Sequence, residues 1–414
     1  MTAIRALSLR RFDHLTYRGN SKHTRYGWLR LTPAFSVHLI SDLIHSLPSD
    51  ARVLDPFCGT GTTALVCAEE GIEAATTDIN PFLLWLGAAK CSHYSAQDIA
   101  DAGRIAGHAV TAVRSTNGTQ PWIPPLFQID KWWEAPLLEK IGKVRAVIEE
   151  HSKNANQKAI DLLKVAFCRT MIETANVSFG HQSMSLKKTD QQMTLAVPED
   201  IAETVVANWE QSVLSVLNAA GTPIASLPRF VHCDARNLIK DFSEESFDCV
   251  ITSPPYPNRM SYIRELRPYM YWLGYLDDAR QAGEMDWEAI GGTWGCATSN
   301  LMKWEHPEDI AVPFEPFSDI LTSIAKTSAV LSRYVEKYFC DMVTHVSGLF
   351  TVVKPNGSVH YVVGNSKFYD VMLPVEEIFA ALFRNAGFKD VRVEAIRKRT
   401  SKKELFEYVV SARK

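Results

Sequence analysis

A short stretch of the sequence, residues 252–256 (Thr-Ser-Pro-Pro-Tyr), combines residue types that could activate an amine. The apolar run at 247–251 predicts a buried strand, and the two prolines end it because neither can donate a backbone hydrogen bond. The Ser253 hydroxyl and the Pro254 carbonyl could accept both N–H bonds of a base amine and draw its lone pair back onto nitrogen. The Tyr256 ring could stack on an unpaired base. A proline-stiffened loop with a packed tyrosine is the alternative interpretation.

A second stretch, residues 52–63, reads as a strand that runs into a glycine-rich turn (Arg-Val-Leu-Asp-Pro-Phe-Cys-Gly-Thr-Gly-Thr-Thr). Gly59 and Gly61 let the backbone turn tightly and approach a ligand closely. A helix is predicted at 64–70, and a second strand leads to Asp78, whose carboxylate could accept hydrogen bonds from ribose hydroxyls. The turn lacks the Gly-Lys-Ser/Thr of a phosphate-binding loop and the third glycine of the dinucleotide pattern.

Together the two stretches resemble motifs I and IV of the S-adenosylmethionine-dependent amino-methyltransferases of DNA. The resemblance covers the cofactor and catalytic parts of the chain. It implies S-adenosylmethionine as the cofactor and a Rossmann-like α/β fold, with a mostly parallel seven-stranded sheet and a terminal antiparallel hairpin. It further implies direct attack of a flipped-out base amine on the cofactor's methyl group, with no metal.

The resemblance also assigns residues to the site. Serine at position 253 is similar to the N4-cytosine branch, whereas N6-adenine enzymes usually carry Asp or Asn there. The implied catalytic residues are Ser253, Pro254, Pro255 and Tyr256. The implied cofactor contacts are Thr32, Pro33, Asp55, Phe57, Gly59, Gly61, Thr62, Asp78, Ile79 and Asp234. Of these, Thr32 and Pro33 resemble the start of a motif X helix, and Asp234 resembles the acid that accepts from the cofactor's adenine amine.

Charge is distributed unevenly along the 414 residues, although the net charge is only −3. Residues 1–30 carry seven Lys and Arg against one Asp, and a second basic cluster lies at 397–403. Local basic patches on a nearly neutral body suit an enzyme that binds nucleic acid through one face. The predicted nucleic-acid contacts are Arg259, Tyr262, Arg264, Arg397, Lys398 and Arg399. Solvated surface segments are the alternative.

The domain organisation follows from the order of these patterns. We predict a catalytic domain from 1–90 and 226–414, a largely helical insertion at 91–225 that could read the DNA sequence, and a loop-rich insertion at 277–315. Within the helical insertion, Trp132 and Trp133 are predicted to be buried rather than to stack on bases. Eight scattered cysteines without a Cys-x-x-Cys pair argue against a zinc site and for a reducing cytosol.

The sequence therefore predicts a cytoplasmic, nucleoid-associated enzyme that methylates N4 of cytosine in a specific double-stranded DNA sequence. A cognate restriction endonuclease is a candidate partner, and no membrane association is predicted, because no run approaches the length of a membrane span. Three alternatives stay open: an N6-adenine DNA methyltransferase, an RNA amino-methyltransferase, and a non-catalytic DNA-binding module.

Overall fold

The computed structural model describes most of the chain. The described residues are 24–29, 31, 36–116, 118–178, 185–186, 198–258, 260–293, 296–399 and 404–414. Among them, no helix is both long enough and apolar enough to cross a membrane.

Seven of the described strands form one sheet. They are β1 (Arg52–Asp55), β2 (Glu73–Asp78), β5 (Arg229–His232), β6 (Phe247–Thr252), β7 (Val353–Gly364), β10 (Lys389–Lys398) and β11 (Phe406–Arg413). The short strands β3 (Val177–Ser178) and β4 (Ser185–Leu186) pair with each other, as do β8 (Ser366–Phe368) and β9 (Val371–Leu373).

The sheet order is β10-β11-β7-β6-β1-β2-β5. Neighbours from β7 through β6, β1 and β2 to β5 are parallel, whereas β11 is antiparallel to both β7 and β10. The predicted mostly parallel sheet with a terminal antiparallel hairpin is therefore confirmed. Strand β1 is central, with β2 on one side and β6 on the other. The carboxyl ends of these three parallel strands therefore meet at one edge, where α/β sheets bind ligands.

Thirteen helices are described. They are α1 (Val37–Ile44), α2 (Thr62–Glu70), α3 (Pro81–Cys91), α4 (Ala96–Arg114), α5 (Ala135–Ser152), α6 (Gln157–Glu173), α7 (Pro198–Ala220), α8 (Tyr262–Trp272), α9 (Ala279–Glu288), α10 (Cys296–Lys303), α11 (Phe317–Ala325), α12 (Ala329–Val352) and α13 (Val375–Ala386). Three short 3-10 turns lie at Arg25–Gly27, Ile129–Lys131 and Ala235–Lys240.

The helices of residues 91–225 pack together with α8 around one hydrophobic core. Trp132 and Trp133 are buried there, and the indole N–H of Trp133 donates to the Met171 carbonyl at 2.8 Å. The Trp133 ring meets the edge of Trp272, at the end of α8, with centroids 5.6 Å apart. The predicted burial of both tryptophans is confirmed, and their rings are covered by protein rather than presented to bases.

The 277–315 segment, predicted to be loop-rich, contains the two helices α9 and α10. Asp278 caps α9 by accepting from the Gln281 N–H at 2.9 Å. Helix α1 begins at Val37, where Ser36 caps it by accepting from the Leu39 N–H. The predicted helix start at Thr32 and Pro33 lies outside the described residues.

Candidate active site

The glycine-rich turn joins the carboxyl end of β1 to α2. Gly61 caps α2 in the left-handed region at φ 73°, and a Cβ there would lie 2.9 Å from the Gly87 Cα on α3. A side chain at position 61 would thus strain the backbone and separate two helices. Lys90 supports the turn from below, because its buried ammonium donates to the Thr60 carbonyl at 2.9 Å. Burial lowers the pKa of Lys90 to about 8.

A cavity opens above the turn, at the carboxyl edge of the sheet. The predicted site residues that line it are Phe57, Gly59, Thr62, Asp78, Ile79, Asp234, Ser253, Pro255 and Tyr262. Further lining residues that the sequence did not single out are Leu31, Pro56, Cys58, Thr60, Asn80, Leu83, Cys233, Ala235, Ile263, Leu266, Glu288, Ala289 and Ile290. The glycine turn and the Ser-Pro-Pro-Tyr turn, about 200 residues apart in the chain, therefore face one space.

Asp78 is the acidic group of this cavity closest to the glycine turn. Its carboxylate accepts the Gly59 N–H at 3.2 Å and the Asn80 N–H at 2.9 Å. Burial raises the pKa of Asp78 to about 6, against these two hydrogen bonds, which lower it. The carboxylate is thus held in a fixed orientation with lone pairs remaining for a ligand's hydroxyls.

Asp55, in contrast, does not line the cavity. Its carboxylate is buried between β1 and β6, where one oxygen accepts the Thr252 hydroxyl at 2.6 Å and the Phe57 N–H at 3.1 Å. Burial raises the pKa of Asp55 to about 7. These contacts tie the last residue of β1 to the last residue of β6, and Asp55 positions the turn instead of facing the predicted cofactor space.

Asp234 caps a 3-10 turn and also faces the cavity. Its carboxylate is paired with Arg236 at 2.6 Å, and Arg236 in turn pairs with Asp341 on α12 at 2.9 Å. Burial opposes ionisation of Asp234, but the hydrogen bonds from Arg236 outweigh it and lower the pKa of this carboxyl. The cap of the 3-10 turn and the predicted ligand-facing position thus coincide in one residue.

Behind this loop lies a buried histidine that the sequence analysis missed. His345 on α12 faces the Ala235 carbonyl through Nδ1 at 2.8 Å and the Tyr361 hydroxyl through Nε2 at 2.6 Å. Burial lowers the pKa of His345 to about 4. The ring is therefore neutral at physiological pH, with Nδ1 donating to the carbonyl and Nε2 accepting from the phenol.

The Ser-Pro-Pro-Tyr turn follows β6 directly and is held by three tyrosine contacts. The Tyr338 hydroxyl donates to the Pro255 carbonyl at 2.7 Å, and the Tyr262 hydroxyl accepts the Tyr256 N–H at 3.3 Å. The Ser253 hydroxyl lies 3.0 Å from the Val362 carbonyl and 3.3 Å from the Tyr256 hydroxyl. Because its one hydrogen is directed at protein acceptors, the Ser253 oxygen has lone pairs available to accept from an amine.

The terminal hairpin covers the other side of Tyr256. The guanidinium of Arg399 lies over the Tyr256 ring, 5.0 Å from its centroid, and donates to the Asn365 carbonyl at 3.0 Å. Arg397 forms a two-point ion pair with Glu407, at 2.6 and 3.0 Å. Two of the three predicted phosphate contacts on the hairpin therefore have partners inside the protein.

The chain matches known proteins along different fractions of its length. A family model described as DNA methylase matches residues 14–86. Over 432 aligned residues the chain is 22% identical to the type II methyltransferase M.BsoBI of Geobacillus stearothermophilus, covering 93% of this chain and 82% of that protein. It is 21% identical to M.AvaI of Nostoc sp., covering 90% and 81% of the two chains. The predicted kinship with the S-adenosylmethionine-dependent DNA amino-methyltransferases is confirmed.

Two solved structures also align with the methyltransferase. One is an S-adenosylmethionine-dependent methyltransferase from Methanosarcina mazei, at 12% identity and a TM-score of 0.30, covering 93% of this chain and 99% of the other. The second is the rRNA methyltransferase AviRa from Streptomyces viridochromogenes, at 13% identity and a TM-score of 0.28, covering 93% and 87%.

S-adenosylmethionine is the cofactor of this methyltransferase, and the cavity fits it. The half-buried carboxylate of Asp78 would accept from ribose hydroxyls, beside a turn where Gly59 carries no side chain and Ile79 offers an apolar surface. When bound, the cofactor supplies an electrophilic methyl group. Ser253 lines the same cavity and would hold the attacking amine by accepting one of its N–H bonds.

Some of the predicted contacts lie apart from the cavity or beyond the described residues. Thr32, Pro33 and Arg259 fall outside the described residues. Arg264 is on the exposed side of α8, whereas Tyr262, two residues earlier, faces the cavity. Gly61, Pro254 and Tyr256 do not line the cavity.

Proposed function

We propose that this methyltransferase transfers the methyl group of S-adenosylmethionine to the exocyclic N4 amine of a cytosine flipped out of double-stranded DNA. The observation that carries the proposal is the neutral Ser253 hydroxyl at the cavity wall, with its hydrogen turned toward the Val362 carbonyl. An amine N–H directed at its lone pairs would leave the nitrogen lone pair free for in-line attack. The base would stack on the Tyr256 ring after Arg399 has moved away from it.

An N6-adenine product is the second candidate, since adenine offers the same kind of amine and the same turn could hold it. The deciding experiment uses unmethylated genomic DNA and tritium-labelled cofactor, followed by digestion to nucleosides and mass analysis. N4-methylcytosine supports the proposal. N6-methyladenine alone would overturn the base assignment while leaving the amine chemistry intact, and an absence of labelled DNA would overturn both.

A second portion of the labelled DNA, cut into fragments instead of nucleosides, would identify the recognition sequence when the labelled fragments are sequenced. The type II naming of the relatives M.BsoBI and M.AvaI supports a restriction endonuclease of the same specificity as a partner. The insertion 91–225 would read the sequence, and its shared core with α8 would connect that reading to the catalytic turn. We infer that this activity takes place on chromosomal DNA in the cytoplasm.

DNA phosphates would be held by cations of the hairpin and of α8. Lys398 and Arg264 are the candidates, because Arg397 and Arg399 have partners within the protein. Exchanging Lys398 for Gln should reduce the slope of log affinity against log salt concentration by roughly one unit, for every DNA sequence alike. Lys389→Gln, at the other end of β10, is the matched control. An unchanged slope would remove Lys398 from the interface.

A further inference from the structure

A chain of three polar groups leads away from the catalytic turn to a buried carboxylate. The Ser253 Oγ lies 3.3 Å from the Tyr256 Oη, and the Tyr256 Oη donates to the Glu407 Oε1 at 3.2 Å. Glu407 is on β11, is only 6% exposed, and stands about 150 residues from the turn in sequence. No residue pattern around Glu407 points to the site, and only the sheet order brings the two together.

The donor directions along this chain all point toward Glu407. The Ser253 hydrogen has two acceptors within reach, the Val362 carbonyl at 3.0 Å and the Tyr256 hydroxyl at 3.3 Å. When it points to Tyr256, each hydroxyl donates to the next group and the carboxylate is the terminal acceptor. Two N–H bonds from Arg397 hold that carboxylate in orientation, at 2.6 Å to Oε2 and 3.0 Å to Oε1.

Methylation of an amine creates a need for such an acceptor. The amine nitrogen uses its lone pair to form the new N–C bond, so the immediate product carries a positive charge and one proton too many. Because the amine is attached to an aromatic ring, this nitrogen is a very weak base, and an ordinary carboxylate is basic enough to take the proton. A water-poor pocket supplies no bulk solvent to do so.

We propose that Glu407 acts through Tyr256 as a positioning residue and terminal proton acceptor for the methylated amine; this inference rests on the proposed function. One N–H bond of the amine breaks, its electron pair stays on nitrogen, and the proton passes to the Ser253 Oγ. The Ser253 proton moves to the Tyr256 Oη, and the Tyr256 proton moves to the Glu407 Oε1. Ser253 and Tyr256 end neutral as they began, and Glu407 ends as the neutral acid.

Two variants separate this path from simple stacking and packing. Tyr256→Phe keeps the ring under Arg399 and leaves the Arg397–Glu407 ion pair intact, but removes the hydroxyl between Ser253 and Glu407. Glu407→Gln keeps the shape and an oxygen acceptor, but is far less basic. Each should lower the single-turnover rate of methyl transfer by about 10- to 100-fold, and the double variant should be no slower than the slower single one, since both interrupt one path.

Two measurements other than the rate distinguish the proposed proton path from a structural effect of the substitutions. Calorimetry should give cofactor affinities within twofold of wild type for both variants. A fluorescent cytosine analogue at the target position of an oligonucleotide should report an unchanged degree of base capture. Glu404→Gln is the matched control, because Glu404 lies on the same hairpin with an exposed side chain paired to Lys367, and it should keep the wild-type rate.

Several results would overturn the inference. A Tyr256→Phe enzyme with the wild-type single-turnover rate would exclude the path, and this conservative variant remains decisive if Glu407→Gln does not fold. A Glu407→Gln enzyme that loses rate and base capture together would show that Glu407 only holds the hairpin. If wild type methylates adenine alone, the base assignment fails and the same variants are compared on adenine. If wild type transfers no methyl group, both claims fail.

Discussion

Arg399 covers the face of Tyr256, with its guanidinium carbon 5.0 Å from the ring centroid. A Cβ at Gly364 would lie 2.5 Å from the Arg399 Nη1, so glycine at the end of β7 makes room for this arrangement. A base that stacks on Tyr256 from this side has to take the place of the cation. The free enzyme therefore keeps its stacking surface covered by a contact of modest strength, of about 0.5–1 kcal/mol.

Removing the arginine tests this competition. Arg399→Ala should make base capture easier by about two- to fivefold, because the base no longer displaces a cation worth about 0.5–1 kcal/mol. The measurement is the fluorescence of a cytosine analogue at the target position, titrated with enzyme. Arg392→Ala, an exposed site on β10, the strand that Arg399 follows, serves as the control. Weaker capture by Arg399→Ala would mean that the guanidinium contacts the base itself.

Asp78 should control cofactor affinity. Asp78→Ala should weaken S-adenosylmethionine binding by about 1–3 kcal/mol, because ribose hydroxyls would lose their acceptor. Calorimetry measures this directly, with Glu73→Ala at the exposed start of the same strand as the control. Because burial raises the pKa of Asp78 to about 6 and the ionised form is the better acceptor, wild-type affinity should rise as pH passes upward through that value. An unchanged affinity in folded Asp78→Ala would remove Asp78 from the cofactor site.

Asp55 should make the stability of the enzyme depend on pH. Burial raises its pKa from 3.8 to about 7, so the folded state favours the neutral acid. The neutral acid therefore adds to the free energy of unfolding at low pH, and this stabilisation is lost as pH rises toward and through 7. Asp55→Asn keeps the oxygen that accepts from Thr252 and Phe57 but does not titrate. The unfolding free energy of Asp55→Asn minus that of wild type should therefore increase between pH 4 and 8, by at most about 4 kcal/mol. Denaturant melts at several pH values measure it, and a difference independent of pH would contradict the assignment.

Gly61 should tolerate no side chain. Gly61→Ala combines a positive φ with a Cβ 2.9 Å from the Gly87 Cα, so it should destabilise the enzyme by about 1–3 kcal/mol and weaken cofactor binding. Gly107→Ala is the matched control, since this exposed glycine in α4 has no atom within 4 Å of the added Cβ. It should stabilise the helix by about 0.5–1 kcal/mol. Equal melting temperatures for the two variants would show that α2 and α3 can separate without cost.

The sequence was informative where a site is built from consecutive residues. Gly59, Gly61 and Asp78 belong to one βαβ unit, so their spacing alone predicts that they meet at one edge of the sheet. The Ser-Pro-Pro-Tyr turn was visible for the same reason. The helix predicted at 64–70 and the strand predicted at 247–251 are also present, as α2 (Thr62–Glu70) and β6 (Phe247–Thr252).

The partners of these residues could not be predicted, because they come from distant strands and helices with no local pattern. His345 and Tyr338 lie on α12 among ordinary core residues, and Glu407 is the single acid of the mostly apolar strand β11. Composition also did not distinguish basic side chains that bind DNA from those that pair with an internal carboxylate, as Arg397 does. Such roles depend on tertiary contacts, which a single sequence does not specify.

The antiparallel strand β11 lies between β7 and β10, although it is the last of the three to leave the ribosome. During synthesis β10 therefore emerges before the neighbour with which it pairs, and that edge of the sheet stays open until residues 406–413 follow. The turn and helices of 52–91 have no such wait, because their contacts are local in sequence. A nascent chain would accordingly acquire its cofactor turn well before Glu407 reaches Tyr256, so binding competence should precede catalytic competence as the polypeptide grows.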